Sequence, residues 1–228
     1  MQQLTGLDAT FLYLETDSQF GHVSGLSILA PPDEPGYEPL AAWRRQIEER
    51  LHLLEPLRRR VVDVPFRLDH PFWVEDPDFD LDYHVRHAAL PAPGRDDQLA
   101  DLVARIIARP LDRTRPLWET YVVEGLPDGR FAILTKIHHA TVDGASGAEL
   151  LTMMLDDDPA GDVVPPPEHE WEPEPLPSAA GMPYGAGRAS GILAVKRAPP
   201  SARFVASIRP PCRSTIQAAI ASPSPVPP

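Results

Sequence analysis

At 228 residues, with 43% hydrophobic and 24% charged side chains, the chain has the composition of a soluble globular protein of one large or two small domains, too long to need stapling by disulfides or metal. Its formal net charge of -12 denies nucleic acid the basic face that such a partner requires. No stretch approaches the ~18 apolar residues that cross a bilayer, and no basic segment followed by a long apolar run opens the chain.

Two compositional breaks coincide. Residues 165–228 hold 15 of the 29 prolines, and residues 1–164 carry 29 Asp and Glu against 15 Lys and Arg, whereas the remainder carries 4 against 6. No acidic residue follows Pro175. The one cysteine, Cys212, lies in this basic, Pro-rich stretch, where it can form no intramolecular disulfide, so a reducing cytoplasm is the expected location.

In chain order, HVSGLSIL at 22–29 is a short apolar run closed by Pro31 and Pro32, and reads as a strand. From Leu40, apolar residues recur at Trp43, Ile47, Leu51 and Leu54, which predicts a helix broken by Pro56. In FDLDYHV at 79–85, apolar and polar residues alternate, the period of a half-buried strand. Leu99, Leu102, Val103, Ile106 and Ile107 mark a second amphipathic helix ended by Pro110. Apolar runs at 117–124 and 130–138 flank Gly125-Leu126-Pro127-Asp128-Gly129, which predicts an antiparallel hairpin. A helix from about Ala145 to Leu155 follows, stopping before Asp156, because acidic side chains are unfavourable at a helix C-terminus. Strands that alternate with helices imply an α/β layered domain.

The densest chemistry is HHATVDG, with His138 and His139 at the end of the second hairpin strand and Asp143-Gly144 at a helix entry. Neighbours on a strand face opposite sides, so if the strand runs through both histidines, one enters the core and the other a cleft, and they cannot chelate one ion together. An imidazole held against a cleft is suited to take a proton from a hydroxyl, a role worth ~10² to 10⁴ in rate. The pattern is equally open to two hydrogen-bonded packing histidines with Asp143 as a helix N-cap. No G-x-S-x-G, Walker A or dinucleotide glycine pattern is present.

HHATVDG matches the HHxxxDG motif of the CoA-dependent acyltransferase superfamily. Together with LTGLDATFLYLET, FDLDYHVRHAALPAPG and RPLDRTRPLWETYVVEG, it makes residues 4–160 resemble the N-terminal half of the bacterial wax ester synthase/diacylglycerol acyltransferase family. The resemblance implies a chloramphenicol acetyltransferase-like α/β fold, a mixed sheet with flanking helices, in a subdomain over residues 1–160. It implies O-acyl transfer from a long-chain acyl-CoA, as substrate and with no cofactor, to diacylglycerol or a fatty alcohol. His139 would be the general base, His138 a supporting residue and Asp143 an orienting one. Gly144 would allow the turn into the helix, and Pro116, Leu117 and Trp118 would correspond to the PLW motif, a packed strand entrance or a substrate contact. Lipid substrates imply an apolar tunnel, and contact with the inner membrane face or lipid droplets.

Residues 161–228 are expected to be a linker and a basic low-complexity tail, without the second subdomain that completes the family's cleft. Two outcomes follow: an active acyltransferase, or an inactive fragment that binds lipid or a partner. A condensation-type enzyme fed by a carrier protein is disfavoured by the opening segment and by PLWE.

Overall fold

The computed structural model describes residues 1–142, Met154, 164–167, Trp171, Pro173 and 175–177. Strand β1 (Gln2–Gln3) leads into α1 (Gly6–Tyr13), β2 (His22–Leu29) and α2 (Pro39–Arg50). Next come β3 (Arg59–Val62), β4 (Phe72–Glu75), α3 (Leu81–His84), β5 (Val85–Ala89), α4 (Asp96–Ile107), β6 (Trp118–Glu124) and β7 (Phe131–His138).

The larger sheet has four strands in the order β2-β7-β6-β5, antiparallel except for the parallel β5–β6 pair, and is therefore mixed. Alternation along β6 and β7 divides its side chains between two layers. Trp118, Val122, Phe131, Ile133 and Ile137 pack on Trp43 and Ile47 of α2, while Val123 and Ala132 pack with Leu99, Leu102 and Val103 of α4. Burying both faces under amphipathic helices is the α/β arrangement expected from the sequence. A smaller antiparallel sheet, β1-β4-β3, lies beside a separate cluster containing Leu4, Leu12, Trp73, Leu117 and Ala140.

The helix starts follow local chemistry. The Thr5 hydroxyl accepts the Asp8 N–H at 3.2 Å to cap α1. The Gln98 side chain accepts the Arg95 N–H at 2.7 Å, and Asp96 and Asp97 lie in the positive first turn of α4. Strand β2, helix α4 and the β6–β7 hairpin form where the sequence places them.

Two expectations are corrected. Residues 79–85 do not form a strand: the Asp80 carboxylate accepts the Asp82 N–H at 3.0 Å and turns the chain into the short helix α3, so that β5 begins only at Val85. Capping by aspartate prevails there over the period-two pattern. Helix α2 ends at Arg50 instead of continuing to Leu54, and Pro56 sits at the start of a 3-10 turn, Glu55–Arg58. Asp143, Gly144 and the helix predicted from Ala145 lie outside the described residues, apart from the buried Met154.

Candidate functional site

Strand β7 ends at His138, so the chain does not run extended through both histidines. Its end is fixed on both sides: the His138 N–H donates to Leu117 O at 3.0 Å and the His139 N–H to Gly21 O at 2.7 Å. The chain then turns, with the N–H groups of Thr141 and Val142 donating back to the carbonyls of His138 and His139.

His138 is 1% exposed. Its Nδ1 accepts the Ala140 N–H at 3.0 Å, so the ring proton of the neutral imidazole is on Nε2, which donates to Glu15 Oε1 at 3.1 Å. Burial pushes the His138 imidazole below its ordinary value, against the pull of Glu15, so this contact is the hydrogen bond of a neutral ring. Glu15 Oε1 also accepts the Gly21 N–H at 2.7 Å, and Oε2 receives a fork from Arg113, Nε at 3.0 Å and Nη2 at 2.6 Å. Burial alone would raise the Glu15 carboxyl. The Gly21 amide and the Arg113 guanidinium outweigh it and hold the group below the usual carboxylate range.

His139 contrasts with its neighbour. It is part-exposed, its ring stacks on Phe11 of α1 at 5.0 Å between centroids, and its ring nitrogens have no hydrogen-bond partner among the described residues. One histidine is thus committed to the scaffold, and the other makes no ring hydrogen bond to a described residue. Among the described residues, no three His, Cys, Asp or Glu side chains are grouped to hold a metal.

Pro116, Leu117 and Trp118 are buried. Trp118 Nε1 donates to Leu57 O at 2.7 Å, and its ring stacks on His84 at 4.5 Å, while the His84 Nδ1–H donates to Trp118 O at 2.7 Å. Leu117 packs against Ala140 and supplies the carbonyl that fixes His138. These three residues form the wall behind the histidine turn. Beside that turn, a cavity of about 150 Å³ is bounded by Thr5, Arg59, Trp73, Ala140 and Thr141. It is well short of the roughly 300 Å³ that small-molecule sites start from.

Glu15, Gly21, Phe11 and Arg113 belong to the site but were not evident as site residues in the sequence. Glu15 lies 123 residues from His138 and 98 from Arg113. The available signal was a buried-type histidine that needed a partner, and it did not say which acid.

A family model described as the wax ester synthase/diacylglycerol acyltransferase catalytic domain matches residues 4–226. A protein of Mycobacterium tuberculosis (strain ATCC 25618 / H37Rv) named as a diacylglycerol O-acyltransferase is 47% identical over 179 residues, 78% of this chain and 37% of the relative. A second from the same strain, also named for that activity, is 41% identical over 75% of this chain and 62% of its own length. The chain therefore spans between about a third and three-fifths of these relatives. Among solved structures, the wax ester synthase/diacylglycerol acyltransferase of Marinobacter aquaeolei VT8 superposes with a TM-score of 0.62 at 37% identity, covering 73% of this chain and 40% of that one. The starter condensation domain of rhizomide synthetase shares the fold, at 16% identity and a TM-score of 0.51, over 67% of this chain and 36% of that one.

Proposed function

The chain belongs to the wax ester synthase/diacylglycerol acyltransferase family, and from that membership we propose that it carries the base-bearing half of an O-acyltransferase site. The donor is a long-chain acyl-CoA, and the acceptor is the hydroxyl of diacylglycerol or a fatty alcohol. His139 removes the hydroxyl proton as the oxygen attacks the thioester carbon. The tetrahedral oxyanion collapses with cleavage of the C–S bond, and the proton passes to the departing CoA thiolate. His138, Glu15 and Arg113 position the turn that carries His139. Asp143, the family motif's aspartate, has an orienting role, and Gly144 completes the motif.

The observation that supports this reading is the contrast between adjacent imidazoles, one locked by Glu15 and Ala140 and the other stacked on Phe11 with no hydrogen bond from its nitrogens to a described residue. Lipid acceptors also place the reaction at a membrane or lipid-droplet surface. No helix among the described residues is long and apolar enough to cross a membrane. The test is to incubate the purified chain with a long-chain acyl-CoA and either diacylglycerol or a fatty alcohol, and to measure CoA release beside His139→Ala. The expected loss is ~10² to 10⁴ in rate, and a variant at full rate removes His139 from the role.

A second reading is a lipid- or partner-binding module without turnover. No CoA release from the unaltered chain, together with saturable binding of acyl-CoA or diacylglycerol, would select it.

A further inference from the structure

Over residues 1–164, where acids outnumber bases about two to one, one group of arginines surrounds a pair of tyrosines. Two guanidinium groups lie over the ring of Tyr83, Arg86 at 4.4 Å and Arg115 at 4.3 Å from its centroid, and Arg86 also lies 5.8 Å over Tyr121. Arg109, exposed at the end of α4, lies close enough to act electrostatically on Tyr121 and on Lys136. The nearby carboxylates are already engaged. Glu119 faces Arg86 and accepts from the Tyr121 hydroxyl at 2.8 Å. Asp112 Oδ1 accepts from the N–H and hydroxyl of Thr114, and Asp80 caps α3. The buried Lys136 ammonium donates to the carbonyls of Ile106 and Arg109 at the negative end of α4.

Arg115 is the unusual member. Its side chain makes no hydrogen bond or ion pair to a described residue, yet the face of Tyr83 holds it beside a second cation. Five N–H donors in a fixed plane, pre-positioned and without an acceptor among the described residues, suit a bidentate oxyanion, and guanidinium groups match phosphate in geometry. Two like charges, each within 4.4 Å of one ring's centroid, repel, and an anion bound by both relieves that repulsion.

The position bears on which anion. Arg115 lies three residues before Trp118, and Arg86 is the second residue of β5, so both are at the end of the sheet where His138 closes β7. Strand β5 is two places from β7, a lateral step of about 10 Å. The pantetheine arm of a CoA thioester is long enough to bridge that step.

We propose that Arg86, Arg109 and Arg115, set around Tyr83 and Tyr121, bind the phosphates at the nucleotide end of the acyl-CoA donor while its thioester lies at His139. This rests on the acyl-transfer reading but is tested apart from it. Adenosine 3′,5′-bisphosphate carries the nucleotide phosphates with no acyl group, and acyl-pantetheine carries the reacting thioester with no phosphate.

The expected results are saturable binding of adenosine 3′,5′-bisphosphate that weakens with added salt, and roughly tenfold weaker binding in Arg115→Gln. Arg109→Gln, an exposed substitution that leaves the core untouched, shows a loss in the same direction. In turnover, both raise the KM for acyl-CoA, leave kcat in place, and leave the KM for acyl-pantetheine unchanged. The site is overturned if the chain does not bind the bisphosphate, if both variants bind it as the unaltered chain does, or if inorganic pyrophosphate binds as tightly. A chain that turns over both donors with equal KM keeps the acyl-transfer reading and loses this site. A chain that binds the bisphosphate through Arg115 but transfers no acyl group keeps the site and loses that reading.

Discussion

Glu15 Oε1 lies 3.1 Å from Nε2 of His138, joining the end of the first helix to the last residue of β7 across 123 positions of sequence. The same oxygen accepts the Gly21 N–H, whose carbonyl in turn accepts from His139, so one carboxylate sets the heights of both histidines. Glu15→Gln keeps an acceptor but loses the charge that Arg113 grips. It is expected to lower stability by about 2 kcal/mol and to reduce thioester turnover, as read by urea denaturation and CoA release. Because the folded carboxyl is held below its ordinary 4.5, its stabilising contribution is present above that pH and fades as pH falls below it. A variant whose stability and turnover match the unaltered chain would remove Glu15 from the positioning role.

Gly21 provides a steric test of the same contact. A Cβ at this position would lie 2.7 Å from His138 Nε2, 3.0 Å from its Cε1 and 3.1 Å from Phe11 O. Neither neighbour can yield cheaply, since one is a fully buried ring and the other is backbone. Gly21→Ala is therefore expected to cost about 1–3 kcal/mol and to lower turnover by displacing His138 or the Phe11 stack under His139. An alanine variant with an unchanged melting temperature and rate would show that the packing here is looser than the distances state.

Trp118 separates a structural role from substrate contact. It is fully buried, its indole N–H donates to Leu57 O, and its ring covers His84. Trp118→Phe leaves the Leu57 carbonyl without its donor, so a loss of about 2–3 kcal/mol is expected. The KM for acyl-CoA in the fraction that remains folded should be unchanged. A raised KM with unchanged stability would instead place Trp118 in contact with substrate.

The strands and helices legible in the sequence are those whose apolar period is undisturbed, namely β2, α4 and the β6–β7 hairpin. Residues 79–85 misled because alternation reports only which side chains could face inward, whereas Asp80 uses its carboxylate to start a helical turn. The motif histidines were legible as a pair, with the base's role expected of His139 and a supporting one of His138. The partners that hold them, Glu15, Gly21 and Arg113, were not, because they reach the site through long-range packing that no local pattern encodes.

The stack behind the site has a pH signature of its own. His84 is fully buried between the rings of Phe79 and Trp118, stacked at 5.2 and 4.5 Å, and its proton is on Nδ1, which donates to Trp118 O. Its Nε2 is buried with no partner among the described residues, so a second proton there would meet no protein acceptor. Burial, reinforced by Arg115 and Arg86 and only partly opposed by the Trp118 carbonyl, pushes the imidazole down to about 4. An unfolded histidine titrates near 6.5, so between about 6.5 and 4 the unfolded chain binds a proton that the folded one refuses, and stability falls as pH falls through that window. The shift corresponds to roughly 3 kcal/mol for His84 at the acid end. His22, also down to about 4 through burial and the nearby Lys136, adds in the same direction. Above pH 6.5 neither contributes a slope. Urea midpoints at pH 7, 6 and 5 should therefore decline for the unaltered chain. His84→Asn keeps a donor for Trp118 O but has no group to protonate, so it should start lower at pH 7 and decline less steeply. An equal slope in the two proteins would show that His84 does not carry the acid sensitivity.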